Sequence, residues 1–364
     1  MMAAREDRMS RKIRTLLAAA AVLAASPVAA QTDSDVYRGA TIRLVIGLPP
    51  GASYDDIARL VARHLGAHIP GRPKIVPENM PGATGRVAAS YLFNAAPKDG
   101  TVLAALHESV ALAQALGESG VRYDARAFGW VGSPVQPDDV LTLWHSAGVR
   151  RIEEARSKVL ILGATTATAN NFIHPTLANN LLGTRFTIVT GYEGGNAIDL
   201  AMERGEVQGR GSNTWNTWKS DHPDWVREHK IVPLLQMSLE KHPDLPDVPR
   251  FIDLAPDARV RAVLELVSAS AGIARPIVAP PGVPPERLAL LRRAFDAMAA
   301  APDFLADAAR LHEEVRPVGG AELARRVQLI LDAPPAEVAL LKQSMQGKSQ
   351  DCKSVSAGKS CAKD

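Results

Sequence analysis

Cysteine is close to absent. The chain of 364 residues has two, Cys352 and Cys361, and both stand in the terminal stretch GKSQDCKSVSAGKSCAKD. No Cys-x-x-Cys pair exists, so thiolate metal sites and dithiol redox chemistry lack their residues. Excess charge is missing too: the formal balance is +3, and Lys and Arg are dispersed without the basic stripe of a nucleic-acid binder. Beyond the N-terminus there is no apolar run of membrane-spanning length. Nor does any assembled catalytic signature occur. Gly-x-Ser-x-Gly, His-Glu-x-x-His, a phosphate-binding loop and Gly-x-Gly-x-x-Gly are all lacking, and GRGSN has its serine shifted. His107-Glu108 has no obvious nucleophile or metal partner, and His64, His68 and His174 sit in helical patterns. The adjacent carboxylates Asp55-Asp56 and Glu153-Glu154 do not share a helix face. These absences argue against an enzyme and against a required metal or cofactor.

What is present begins with an export pattern. Residues 9–15 (MSRKIRT) are basic, residues 16–25 are apolar and small, and Val28-Ala29-Ala30 offers a small-residue cleavage site. Residues 1–30 are therefore expected to be a signal peptide, with the mature chain starting at Gln31 and residing in the periplasm. An oxidising compartment would let Cys352 and Cys361 form a local disulfide; a solvated tail is the other reading.

From residue 41 onward, short β-branched runs alternate with helical patterns. TIRLVIG reads as a strand, and residues 55–68 as a helix with Ile57, Leu60, Val61, Leu65 and Ile69 on one face. KIVPEN, TVLAALH, DVLTLWH, VLILGAT, RFTIVTG and IVPLLQMS read as further strands, with helices over 85–94, 107–116, 171–182 and 196–203. That alternation predicts an α/β fold with largely parallel sheets.

Ligands of such sheets sit where strands hand over to helices, because helix N-termini offer free N–H groups and positive potential. Four such loops lack bulk and carry hydroxyls: Pro50 to Asp55, Pro81 to Gly85, Gly163 to Asn170 and Gly191 to Asn196. Two precede residue 140 and two follow it, as two lobes facing across a cleft would require. Each alone reads equally as a turn or helix cap.

The ordered set resembles the substrate-binding proteins of tripartite tricarboxylate transporters, the Bordetella-uptake-gene family. The resemblance is carried by Pro49-Pro50-Gly51-Ala52-Ser53-Tyr54-Asp55 with Ala58-Arg59, by Glu78-Asn79-Met80-Pro81-Gly82-Ala83-Thr84-Gly85 and by Ala96-Pro97-Lys98-Asp99-Gly100. Tyr192-Glu193-Gly194-Gly195, Pro246-Asp247-Val248-Pro249-Arg250-Phe251 and Ala279-Pro280-Pro281-Gly282-Val283-Pro284 continue it to about residue 330. It implies a periplasmic binding protein of type II-like fold, with two lobes, a ligand cleft and a hinge. One lobe would take residues 38–138 and 270–346, the other 139–269, leaving 347–364 as a flexible tail. Such a protein would capture a small organic carboxylate and deliver it, as a monomer, to the permease subunits of its transporter. Presenting the ligand to a membrane sensor is the alternative use of the same cleft.

The ligand-binding candidates that follow are Gly51, Ala52, Ser53, Tyr54 and Asp55 in the first loop and Gly82, Ala83, Thr84 and Gly85 in the second. His107, Thr165, Thr166, Thr168, Tyr192, Gly194, Gly195, Ser212 and Asn213 complete them. Asp55, being anionic, is expected to cap its helix or bind loop N–H groups. The sequence departs from the family pattern at Ala52, Tyr54 and Thr84. With no Arg inside the four loops, recognition is expected to rest on backbone N–H groups and water, with Arg86 and Arg210 as nearby exceptions. Trp215, Trp218 and Trp225 either line the cleft or pack a helix onto its sheet.

Overall fold

The computed structural model describes residues 36–51, 53–136, 139–347 and 349–351. Ala52, the candidate disulfide and the signal segment lie outside the described residues.

The first sheet begins with three parallel strands, β1 (Thr41–Ile46), β2 (Lys74–Asn79) and β3 (Val102–Ala105). Helix α1 (Ser53–His68) follows β1, α2 (Arg86–Asn94) follows β2 and α3 (Val110–Ala115) follows β3. Period-two alternation splits β1 between two cores: Leu44 and Ile46 join one with Leu103 and Phe295, and Val45 joins the other with Ala104 and Trp130. Ile46 pairs with both Asn79 and Ala105, so the three strands end level and their loops emerge side by side. Strand β4 (Gly129–Ser133), whose Gly-rich sequence gave no strand signal, belongs to this sheet. A Cβ on Gly132 would sit 2.3 Å from the Phe295 ring, so the glycine lets a helix lie directly on the strand.

The chain then enters a second sheet with β5 (Asp139–Trp144), β6 (Leu160–Gly163), β7 (Phe186–Thr190), β8 (Gly209–Thr214) and β9 (Ile231–Met237). Helices α4 (Asn170–Leu182) and α5 (Gly195–Glu203) follow β6 and β7, and α6 (Trp215–Asp221) and α7 (Pro223–Arg227) follow β8. Gly163, the last residue of β6, is level with Val189 near the end of β7, so the loops after these two strands emerge side by side, while β8 runs on past them to Thr214. Gly211 carries no side chain because a Cβ there would meet the Asn171 carbonyl oxygen at 2.3 Å; α4 thus seats closely on β8.

Helix α8 (Ala258–Ala271) returns the chain to the first sheet, where β10 (Ile277–Ala279) inserts antiparallel between β3 and β4. Helices α9 (Pro285–Ala299) and α10 (Pro302–Arg310), strand β11 (Val318–Gly319) and helix α11 (Gly320–Leu331) complete that side. The sheet orders are β11-β4-β10-β3-β1-β2 and, with β12 (Ser349–Asp351), β12-β7-β6-β8-β5-β9. The end of the chain differs from the sequence expectation. Helix α12 (Pro335–Ser344) packs on α4 and α8 rather than on the first sheet, and β12 pairs in parallel with β7 where a tail was expected. Buried Leu341 shares a core with Phe172 and Leu177, which accounts for the docking. The fold is two α/β lobes, and no helix among the described residues is long and apolar enough to cross a membrane.

Candidate functional site

The first loop is organised by a carboxylate that faces inward. Asp55 is buried, accepting from the Gly51 N–H at 2.9 Å, from Arg59 Nε at 2.9 Å and from Asn79 Nδ2 at 2.8 Å. Asn79 also donates to the Leu48 carbonyl and accepts from Arg59, so β2, the loop and α1 are locked together. Burial alone would raise the Asp55 pKa, but the hydrogen bonds from Arg59, Gly51 and Asn79 outweigh it and hold the carboxyl below its ordinary value. The Gly51 N–H is therefore committed within the loop. Its glycine is required by φ +76°, not by crowding, since nothing lies within 4 Å of a Cβ there.

The second loop is a run of left-handed backbone: Gly82, Ala83, Thr84 and Gly85 have φ of 144°, 46°, 54° and 83°. Non-glycine residues rarely adopt such φ; the turn is closed by the Gly85 N–H donating to the Gly82 carbonyl at 3.0 Å, and a Cβ on Gly85 would sit 3.3 Å from His107 Cβ. The turn lifts Thr84 into an exposed position at the start of α2.

Tyr54, where the family pattern has a small hydroxyl residue, is the centre of the site. Its ring stacks on His107 with centroids 4.9 Å apart, the Arg275 guanidinium lies over it at 4.8 Å, and its hydroxyl donates to the Glu108 carboxylate. Arg275 also donates to Ser53 Oγ at 2.7 Å, and its backbone N–H to Ser133 Oγ at 3.2 Å, which ties the return crossover to the end of β4. The Arg275 Nε has no hydrogen-bond partner among the described residues. This arginine was not among the sequence candidates. It stands far from the four loops in sequence, and only the crossover brings it to them.

Two cavities flank this wall. The smaller, about 80 Å³, is lined by Ser53 and Arg275 with Glu313 on one side and Thr214, Asn216 and Thr217 on the other. The larger, about 460 Å³, receives Thr84, His107 and Glu108 from the first lobe and Thr168, Asn170 and His174 from the second. His107 Nδ1 accepts the Ser109 backbone N–H at 3.1 Å, which places the proton of the neutral ring on Nε2. Burial first, then Arg275 and Arg86, push its pKa down to about 4, so it stays neutral. Glu108 moves the other way, to about 7, through burial first and Asp139 second, against the Tyr54 hydrogen bond and the Arg275 charge.

The remaining candidates divide. Thr165 turns back to Asn171, and Thr166 and Thr168 hydroxyls bond each other at 3.2 Å. Ser212 donates to Asp139 at 2.9 Å, and buried Asn213 pairs opposite Val140. Tyr192 lies in the second lobe's core with Ile198 and Trp218, away from the cleft. At Gly195 a Cβ would collide with the Arg210 guanidinium at 2.5 Å, and Arg210 is held by both Asp199 oxygens. That arginine fills the space beside Gly195, a Cβ on Gly194 would meet open space, and neither glycine lines either cavity. The tryptophans pack: Trp218 is fully buried, and Trp225 stacks on His222 at 3.9 Å and meets Trp144 at 4.6 Å.

Glu108 makes one pH prediction. An organic anion beside it meets a neutral acid below pH 7 and a carboxylate above it, so affinity falls as pH rises from 6 to 8. A drop of roughly three- to tenfold is expected from a partly solvated like charge. Titrations of Glu108→Gln across the same range should be nearly flat; an unchanged slope would assign the effect elsewhere.

No family profile and no curated protein matches the sequence. Solved structures do match its fold. A TctC solute-binding protein from Polaromonas, without ligand, aligns over 85% of this chain and 99% of its own at 15% identity and TM-score 0.67. A Rhodopseudomonas palustris protein with adipate aligns over 84% and 97% at 19% identity and TM-score 0.55. MatC from Rhodopseudomonas palustris, with bound malate, aligns over 84% and 99% at 21% identity and TM-score 0.52. The chain has the fold of the two-lobed periplasmic solute-binding proteins of the TctC type.

Proposed function

We propose that the protein is an exported solute-binding protein that captures a small organic carboxylate between its lobes and hands it to the membrane subunits of a tripartite tricarboxylate-type transporter. The observation that carries this reading is the larger cavity, where loops from the level ends of both sheets present Thr84 and His107 opposite Thr168 and Asn170. Neutral donors around a partly desolvated space suit a carboxylate that must be released again. The lobes are taken as 38–138 with 270–331 and 139–269 with 335–351, the last helix and strand belonging to the second lobe, and closure as a hinge motion about the passages between them. Solved proteins of this fold with adipate and with malate support the ligand class. Export rests on the N-terminal pattern.

A thermal-shift screen of the chain from Gln31 tests the reading. A ligand of micromolar Kd at millimolar concentration adds about 4 kcal/mol. Organic acids should raise the melting temperature, and neutral sugars, amines and nucleotides should not. A rise with one of those controls alone would reject the carboxylate assignment.

A further inference from the structure

The larger cavity is not polar throughout. From the loop end it receives Thr84, His107, Thr168 and Asn170; its other wall is mostly Leu112, Leu116, Ile173, Leu177, Val267 and Met345, with His174 and Ser270 the polar residues among them. The change in character follows the helices. On α4, Asn170 stands in the first turn and Ile173 and Leu177 lie deeper, a span of about 10 Å at the α-helical rise. Along the β3–α3 segment, His107 and Ser109 come first, and Leu112 and Leu116 follow at one-turn spacing. Leu116, Leu177 and Val267 are buried members of the second lobe's core cluster, so this wall is an extension of that core. Two cations stand near the cavity, each partly engaged. Arg86 is paired with Glu118 at 2.9 Å, and Arg275 lines the smaller cavity. A second carboxylate carried to the far end would meet mostly aliphatic side chains and a neutral His174, whose lowered pKa keeps it from offering a charge, and would give up most of its hydration.

Building on the carboxylate reading above, we infer that the preferred ligand is an amphiphilic monocarboxylate, an acid with one charged head and an apolar body, rather than a short di- or tricarboxylate. The head sits among the loop donors and the body lies against the Leu112–Leu177 wall. Each methylene buried there should improve affinity about fourfold.

Calorimetry with butyrate, hexanoate and octanoate, against malate and adipate, tests this. The expected result is affinity rising by roughly 100-fold or more from butyrate to octanoate, with malate and adipate weaker than octanoate. Ile173→Asn, at a half-buried position on the wall, should flatten that series, costing octanoate several-fold more affinity than butyrate. Leu112→Asn is the second variant should the first fail to fold. Equal or tighter binding of malate or adipate with no dependence on chain length would overturn the inference and leave the carboxylate reading standing. Failure of every acid to bind would overturn both.

Discussion

Replacing Asp55 with alanine lowers the melting temperature of the free protein by roughly 6–12 °C. The carboxylate is buried and accepts three hydrogen bonds, from Gly51, Arg59 and Asn79. Removing it leaves the Gly51 N–H without its acceptor and takes one partner each from Arg59 and Asn79, which keep their bonds to each other and to the Leu48 carbonyl. Breaking a buried ion pair from one side costs about 3–5 kcal/mol. Arg59 keeps a side-chain exposure of 38%, so the cost belongs at about 3 kcal/mol, and each kcal/mol moves Tm by roughly 2–4 °C at this size. The pH dependence has a definite sign. The folded carboxyl titrates below its ordinary value, so its stabilisation is complete at neutral pH and is lost as pH falls through the folded pKa. Wild type should therefore lose stability in acid more steeply than Asp55→Ala when denaturation is followed from pH 7 to pH 3. Matching acid limbs would mean that Asp55 is not the group that couples them.

Arg275→Ala should do the reverse: affinity for an organic acid falls by about three- to tenfold, through loss of a positive charge beside His107 and Glu108 rather than of a direct bond, and Tm stays within roughly 3 °C. In the free protein this guanidinium spends only part of its capacity, on Ser53 and on the Tyr54 face, while Nε is unpartnered among the described residues. Its loss also leaves the cleft more acidic, because its charge offsets Glu108 and Glu313. Arg275→Lys should recover part of the affinity by restoring charge without the planar fork. A large fall in Tm with unchanged affinity would make the residue a brace of the crossover and nothing more.

The periodic parts of the fold were legible. Helix α1 shows in the sequence because its burial follows a period of 3.6, and strand β1 shows as a short β-branched run buried over most of its length, as in much of both sheets. Strand β4 was not legible, since GWVGS trades side-chain bulk for the close approach of Phe295. The docking of α12 was equally hidden: its apolar residues mark a helix but not the body it packs on. At the site, the loops could be read from glycine and hydroxyl spacing. Their internal bonding could not, because Gly51 and Thr165 look like ligand donors until Asp55 and Asn171 are seen to claim them. Arg275 shows the limit most plainly, since no local pattern links it to Ser53, from which it is separated by 222 positions.

The position of α12 has a mechanical consequence. Two chain passages, after β4 and before β10, lie against each other where Arg275 meets Ser133. Two adjacent strands of chain act like a short length of rope and let the bodies they join both bend and swivel. A third passage runs from α11, packed on β4, to α12, which is fastened to α4 by Asn180 donating to the Ser344 and Gln346 carbonyls. Attachment at a point away from the rope turns it into a door hung on two pins. For the closure proposed above, such an attachment would suppress swivel and leave one opening direction, returning the loops of the two sheets to the same alignment at each closure.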